Sequence, residues 1–151
     1  MTEISDRYRR LAAELTRLVE AVPAERWDDP SPCEEWTARQ VLDHVVTTHG
    51  SMAGYVGLNL PAGQPLTGDP AGGWMAAREG MQALVDDPAT AQLEYDGYFG
   101  RTSLERTVDG FLCFDLVVHR WDIARATGGD EHLDSEEVRR IVTIHLPRKE
   151  C

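Results

Sequence analysis

Basic residues are scarce in this sequence. It has 15 Lys and Arg residues against 26 Asp and Glu residues, which gives a net charge of −11. A surface of this charge repels the phosphate backbone of nucleic acids, and no basic run offsets it. We therefore expect no nucleic-acid partner.

Long hydrophobic runs are also missing. No apolar stretch approaches the roughly 20 residues of a membrane-spanning helix, so we expect no membrane partner. The first residues, MTEISDRYRR, include acidic side chains and no hydrophobic segment typical of a secretory signal peptide. Cysteine is limited to Cys33, Cys113 and Cys151, an odd number of widely separated residues. This pattern favours the reducing cytoplasm over a disulfide-stabilised scaffold.

Several catalytic motifs are absent as well. The sequence contains no GxSxG nucleophile elbow, no phosphate-binding glycine loop, no HExxH and no CxxC. Its 151 residues and 42% hydrophobic content are those of an ordinary globular protein, and we expect one domain over residues 1–151.

Helical periodicity is the strongest signal that is present. Apolar residues recur at three- and four-residue intervals in five segments. The segments are residues 4–22, Ala38 to about Leu58, the weaker WMAAREGMQALV, about Ser103 to Thr127, and the short VRRIVTIHL. Capping boxes are predicted at Thr37 with Gln40 and at Thr102 with Glu105. Gly128 is expected to end the fourth helix, and Pro147 the last.

The connections between these helices are rich in glycine and proline. Residues 59–73 have no period and read as a long crossover loop. The segment QLEYDGYFGRT contains a possible Asp96-Gly97 turn, which would form a small hairpin or an extended cover. With almost no other strand signal, the sequence predicts an all-α four-helix bundle with a short extra helix or hairpin.

The fourth helix carries polar residues on its apolar face. At about 100° per residue, Asp115, His119 and Asp122 share one stripe with apolar side chains. The apolar members are Leu104, Val108, Phe111, Leu112, Val118 and Ala126. A buried carboxylate without a partner is strongly unfavourable, so these residues require a partner group.

One such partner is a metal ion. Asp115 and His119 are four residues apart, so their side chains meet on adjacent turns and can bind one ion. His44 borders the apolar face of the second helix, and facing helices of a bundle commonly build metal sites. The alternatives are an Asp115–His119 ion pair and a hydrogen-bonded core histidine at position 44.

Other polar residues have less definite roles. Asp122, three residues after His119, could replace Asp115 as a ligand. It is predicted instead to orient a histidine ring or to pair with Arg125. Cys33 is interpreted as a structural cysteine rather than a reactive thiolate. The histidines at 49, 132 and 145 are interpreted as surface or flanking residues, and Arg101, Arg120 and Arg125 as possible contacts for an acidic substrate.

Two stretches resemble a known family. PSPCEEWTARQVLDHVV looks like the second-helix motif of the DinB-like metal-binding bundles, and more closely like the N-terminal domain of mycothiol-dependent maleylpyruvate isomerases. DLVVHRWDIARATG resembles the fourth-helix motif of the same group. The stretch MAAREGMQALVDDP also resembles sequences of this group. The resemblance covers about residues 5 to 140.

The resemblance implies a metal site and thiol chemistry. In the family, a histidine of the second helix and a carboxylate and histidine of a later helix hold a divalent metal. His44, Asp115 and His119 match those positions, with Asp122 as an orienting residue. Zn²⁺ is the expected metal, with Ni²⁺ or Fe²⁺ as alternatives. A low-molecular-weight thiol and a small electrophile are the implied reactants of a transferase or isomerase. A non-catalytic module that binds metal or a small ligand is the alternative.

The sequence departs from the family at three points. Position 115 is aspartate, where many relatives have histidine. The isomerases carry an additional C-terminal domain, for which this chain leaves no room. The chain also stops at HLPRKEC, where relatives usually continue, so we expect uncovered apolar surface on the second or fourth helix. A homodimer would cover it through the last helix, using Val138, Ile141, Val142, Ile144 and Leu146.

Overall fold

The computed structural model describes the backbone of residues 2–144 and the side chains of residues 2–140. Its helices are α1 (Glu3–Ala21), α2 (Ala38–Tyr55), α3 (Pro70–Asp86), α4 (Pro88–Ala91), α5 (Leu104–Thr107), α6 (Cys113–Thr127) and α7 (Ser135–Ile144). A 3-10 turn at Ala24–Arg26 follows α1, and a π-helical turn at Val108–Leu112 joins α5 to α6. Strands β1 (Glu94–Gly97) and β2 (Gly100–Ser103) pair antiparallel as a hairpin.

The long helices form a four-helix bundle, as predicted. Helix α1 packs against α3 and α6, and α2 packs against the same two helices, so α1 and α2 lie on opposite sides of the bundle. The fourth long helix is the continuous run of α5, the π turn and α6. One hydrophobic core fills the centre, with Tyr8, Leu15, Leu42, Trp74 and Leu116 among its buried side chains. No helix in residues 2–144 combines the length and apolar character needed to cross a membrane.

The helix ends follow from local side-chain chemistry. The capping box predicted at the start of α2 is confirmed, because Thr37 accepts from the backbone N–H of Gln40 while Gln40 accepts from that of Thr37. Gly128 ends α6 with a left-handed φ of 77°, a conformation that glycine adopts without a Cβ clash. Both signals fix where the two helices of the candidate site begin or end.

Three predicted boundaries are wrong. The third helix is longer than its weak signal suggested, because Asp69 caps it and Pro70 opens it, well before Trp74. The second helix stops at Tyr55, and Gly57 then adopts a φ of 75°. The cap before the fourth helix is Ser103, which accepts from the N–H of Arg106, rather than Thr102 with Glu105.

The segment after α4 forms the hairpin rather than an extended cover. Its two-residue turn is Tyr98-Phe99, between paired Gly97 and Gly100, and not the predicted Asp96-Gly97. Gly100 has a φ of 113°, which side-chain-bearing residues rarely adopt. The turn places both aromatic side chains in solvent, where Tyr98 is 96% and Phe99 84% exposed.

The π turn rotates part of the fourth helix. A π-helical turn contains more residues than an α-helical one, so it shifts the register of the side chains that precede α6. Cys113 consequently faces the core together with Leu112, which was predicted there, whereas Phe111, predicted to face inward, is 45% exposed. The prediction for Phe111 is therefore wrong, while Leu104 and Val108 are buried as expected.

The last helix is held by buried charge. Asp134 accepts from the N–H groups of Glu136 and Glu137 and thereby caps the N-terminus of α7. The Glu137 carboxylate is buried and accepts from Arg7 at 2.6 Å and Arg10 at 2.9 Å. Hydrogen bonds from these two guanidinium groups lower the pKa of Glu137 although its burial acts in the opposite direction. The predictions for Ile141, Val142 and Ile144 concern side chains outside the described residues, as do those for His145, Leu146, Pro147 and Cys151.

Candidate metal centre

The candidate site lies between α2 and α6. His44 stands one residue before the buried Val45, so its ring lies at the border of the apolar face of α2. Its side chain is 33% exposed, and its ring lies beside the ring of Trp36, at a centroid separation of 5.2 Å. Trp36 precedes the Thr37 cap, so the local structure that starts the helix also places an aromatic wall against His44.

Helix α6 supplies two further side chains to the same place. Nε2 of His44 lies 3.7 Å from Oδ2 of Asp115, and the rings of His44 and His119 meet edge to face at 5.0 Å. Asp115 is partly accessible at 22%, whereas His119 is almost completely buried. The structure thus brings together three residues that stand on two separate helices and that the sequence predicts as metal ligands.

Asp122 lies behind His119. Its Oδ2 is 2.9 Å from Nδ1 of His119, and both side chains are buried. Since a carboxylate accepts hydrogen bonds, Nδ1 of His119 is the donor, and in the neutral ring Nε2 is then the nitrogen with a free lone pair. Arg125, the other partner considered for Asp122, instead pairs with Glu131 at 3.1 Å.

The donor set fits a divalent cation. One potential ligand atom from each of His44, Asp115 and His119 lies within 4.8 Å of the others. Ligand atoms lie about 2.0–2.2 Å from a bound Zn²⁺, so the 3.7 Å between His44 and Asp115 is compatible with a shared ion. Two imidazoles and one carboxylate, with one side open to solvent, are typical of catalytic sites that keep a position for an exchangeable ligand.

The electrostatics also favour a neutral His44. Burial lowers the pKa of His44 from its ordinary value, and the neighbouring His119 lowers it further. The carboxylates of Asp115 and Asp43 act in the opposite direction and do not reverse the shift. Neutral imidazole is the form that binds metals.

A second group of potential ligands overlaps with the first. Cys33, His119 and Asp122 also bring ligand atoms within 4.8 Å of one another, and all three are buried. In this group the Asp122 carboxylate already accepts from His119, and Sγ of Cys33 lies 3.4 Å from the same oxygen. Cys33 is disulfide-bonded, so its sulfur offers no thiolate to a metal. The buried group is therefore better described as the support behind His119 than as a site for exchangeable ligands.

The interpretation of His49 as a surface or flanking residue is wrong. Its ring is fully buried, with Nε2 at 2.8 Å from the Tyr8 hydroxyl and Nδ1 at 2.8 Å from the Val45 carbonyl oxygen. Burial lowers its pKa to about 4. Its spacing of four residues after Val45 puts it on the inner face of α2, a signal that the sequence already contained. His132 is exposed, as expected.

The three arginines considered for an acidic substrate have partners within the chain. Arg101 donates to Glu94 and Asp96 of the hairpin. Arg120 donates to the carbonyl oxygen of His132 at 2.7 Å, and Arg125 pairs with Glu131.

A large pocket beside the site was not predicted from the sequence. It encloses about 790 Å³ between the hairpin, the end of α2 and the π turn. Its lining includes Tyr55, Tyr95, Tyr98, Phe99 and Phe111. The aromatic residues of QLEYDGYFGRT were the available signal, but the hairpin had to be placed against α2 before they could form a wall.

A helical bundle with two histidines and a carboxylate gathered between two helices defines a class of candidate metal-binding domains. The family model of the mycothiol maleylpyruvate isomerase N-terminal domain matches residues 8–124, and the chain belongs to this family. The fold is accordingly that of the DinB-like helical bundles.

Two curated relatives are similar over most of the chain. They are uncharacterized proteins of Mycobacterium tuberculosis, Rv0738 of strain H37Rv and MT0763 of strain CDC 1551 / Oshkosh. Each is 26% identical to this chain, over 85% of it and 70% of the relative. No solved structure matches the chain significantly.

Proposed function

We propose that the chain binds a divalent metal ion, Zn²⁺ in the first place, through His44, Asp115 and His119. The observation that carries the proposal is the convergence of these three side chains beside solvent, with Asp122 fixing the tautomer of His119. Membership of the mycothiol maleylpyruvate isomerase N-terminal domain family supports the same assignment. Ni²⁺ and Fe²⁺ suit the same donor set.

We further propose a role in the chemistry of a small thiol of the mycothiol type. A divalent cation, when bound, supplies Lewis-acid chemistry that lowers the pKa of a thiol and favours the reactive thiolate. The thiol loses its proton to solvent, and the sulfur forms a bond to carbon of a small electrophile. In a transfer, a leaving group departs from that carbon with the bonding electron pair. In an isomerisation, the sulfur adds to an activated carbon–carbon double bond, whose π electron pair moves onto the conjugated group. After rotation about the resulting single bond, that pair re-forms the double bond as the thiolate departs, and the thiolate regains a proton from solvent.

The residues of the chain have separable tasks in this proposal. The burial of His119 and its bond to Asp122 hold one ligand rigidly, so little ordering is needed on binding. His44 and Asp115 remain partly exposed and leave the open side for the thiol. Trp36, packed against His44, limits the access of water on one side.

The first experiment tests the metal site. The purified protein is stripped with a chelator, reloaded with Zn²⁺ and titrated against a competing chelator. We expect one tightly bound ion per chain, and its loss in His44→Ala and His119→Ala. His132→Ala is the matched control, because His132 is an exposed histidine outside the site. Stoichiometric binding retained in both site variants would refute the assignment.

The second experiment distinguishes an enzyme from a binding module. The metal-loaded protein is mixed with mycothiol and a panel of small electrophiles, and product formation is compared with that of the chelated protein. Metal-dependent turnover supports the transferase or isomerase. Binding of the thiol without turnover supports the alternative, a non-catalytic metal- or ligand-binding module.

A further inference from the structure

The aromatic pocket and the candidate metal centre both lie along the second and the fourth long helices. On α2, Met52 of the pocket lies eight residues beyond His44, or about 12 Å at the rise of an α-helix. On the facing helix, Phe111 of the pocket lies four residues before Asp115, about one turn away. A molecule in the pocket therefore lies along the same two helices as His44 and Asp115.

The pocket wall consists of paired aromatic rings. The rings of Phe99 and Phe111 are almost parallel, at 4° with centroids 6.5 Å apart, and those of Tyr55 and Tyr95 lie 5.4 Å apart. The hydroxyl groups of Tyr95 and Thr107, both in the pocket lining, are hydrogen-bonded to each other. Exposed ring faces of this kind favour a flat, apolar partner.

The charges of the pocket disfavour an anion. Its charged lining residues are Asp96 and Arg101, and the Arg101 guanidinium donates to both Asp96 and Glu94. The positive charge is thus already balanced by two carboxylates. The chain as a whole carries a net charge of −11, which repels further negative charge.

We propose that this pocket binds the body of a neutral, planar, aromatic or conjugated small molecule and directs its reactive end towards His44 and Asp115. This inference rests on the proposed function, in which such a molecule is the electrophile. It adds the class of molecule and the residues that select it, namely Tyr55, Phe99 and Phe111. The same charges disfavour a dicarboxylate in the pocket.

Two ligands that differ only in charge test the inference. The probes are 1,3-dinitrobenzene, which is neutral and planar, and isophthalate, the same ring with two carboxylates. Each is titrated into isotopically labelled protein in two states, one stripped of metal and one loaded with Zn²⁺. Backbone NMR chemical shifts are followed in both. We expect dinitrobenzene to shift resonances of residues 94–103 and Phe111, and isophthalate to leave them unchanged.

Variants then connect the binding to the rings. Tyr55→Ala and Phe111→Ala each remove a partly exposed ring and should weaken dinitrobenzene binding about three- to tenfold. Leu133→Ala, an exposed apolar truncation outside the pocket, should leave the affinity unchanged. Unchanged affinity in both ring variants, shifts mapping to another surface, or equal binding of isophthalate would each overturn the inference.

The two levels of the proposal fail separately. If the protein binds no metal but still binds dinitrobenzene in the pocket, the proposed function is wrong and the pocket assignment stands. If the protein binds Zn²⁺ at His44, Asp115 and His119 but dinitrobenzene does not bind, the pocket assignment is wrong and the metal site stands.

Discussion

Nδ1 of His119 lies 2.9 Å from Oδ2 of Asp122, and neither side chain has appreciable contact with solvent. The two residues are three positions apart on α6, so the helix itself sets their separation. The pair holds the imidazole in one tautomer and one orientation. The pair thereby presents Nε2 of the buried histidine as a preorganised metal ligand between α2 and α6.

Removing the carboxylate of this pair should weaken metal binding. Asp122→Asn keeps the size of the side chain but replaces an anionic acceptor with a neutral one. We expect the affinity for Zn²⁺ to fall by about 10- to 100-fold, as measured by competition with a chelator. Asp43→Asn removes an exposed negative charge near His44 and is the control, with an expected change of about twofold or less. Equal affinities of wild type and Asp122→Asn would contradict the orienting role.

His49 should make the stability depend on pH. Its pKa is about 4 in the folded protein and near 6.5 in the unfolded chain, so the unfolded state binds more protons between these values. The contribution of neutral His49 to the free energy of unfolding is therefore fully present above pH 6.5. It is lost as the pH decreases towards 4, by up to roughly 3 kcal/mol.

Chemical denaturation at several pH values measures this effect. The free energy of unfolding of His49→Gln should depend on pH more weakly in that window, by about one proton. His132→Gln alters an exposed histidine and should retain the slope of the wild type. A wild-type slope in His49→Gln would show that other groups cause the pH dependence.

The Tyr8 hydroxyl should contribute to stability through His49. Because Nδ1 of His49 donates to the Val45 carbonyl, its Nε2 accepts from the tyrosine hydroxyl at 2.8 Å. Tyr8→Phe leaves this buried acceptor without a donor and should lower the free energy of unfolding by about 1–3 kcal/mol. Tyr98→Phe, at a 96% exposed position, should change it by less than about 0.5 kcal/mol. Thermal or urea unfolding measures both, and equal stability of the two variants would contradict the prediction.

Glu137 should hold α7 against the bundle. Glu137→Gln weakens three charge-assisted hydrogen bonds, two from Arg7 and one from Arg10. It leaves the largely buried Arg7 paired with Asp109. We expect a loss of about 2–4 kcal/mol and faster hydrogen exchange in α7. Glu136→Gln is the matched control. The neighbouring Glu136 is 76% exposed, and its ion pair with Arg139 is long, at 3.9 Å. Faster exchange in the control to the same extent would locate the effect in the general charge of the helix.

A homodimer remains a prediction for this chain. Exposed apolar surface on the second or fourth long helix was its premise, and Tyr55 and Phe111 are exposed there at 53% and 45%. Light scattering over a dilution series should give a dimer mass that decreases towards the monomer at low concentration. A monomer mass that persists at high micromolar concentration would rule the dimer out.

The sequence determined most of the fold because its signals are local. The apolar periodicity and the Thr37–Gln40 and Gly128 signals act within a few residues, and α2 and the end of α6 follow them. The site residues were selected in the same way. Asp115, His119 and Asp122 share a face through helical spacing alone. His44 was selected because it borders the apolar face of the second helix, and the resemblance to the family supported that choice.

The tertiary structure decided what depends on contacts between distant segments. Phe111 left the core because the π turn changes the helical register, and no residue near it signals such a turn. The hairpin forms a wall of the aromatic pocket only because strand pairing and packing bring its rings to the helices. Tyr95 lies against Tyr55, and Phe99 lies against Phe111. Periodicity specifies which face of a helix is buried. The pocket between two helices and the hairpin forms only in the packed chain, because its walls come from segments that are distant in the sequence.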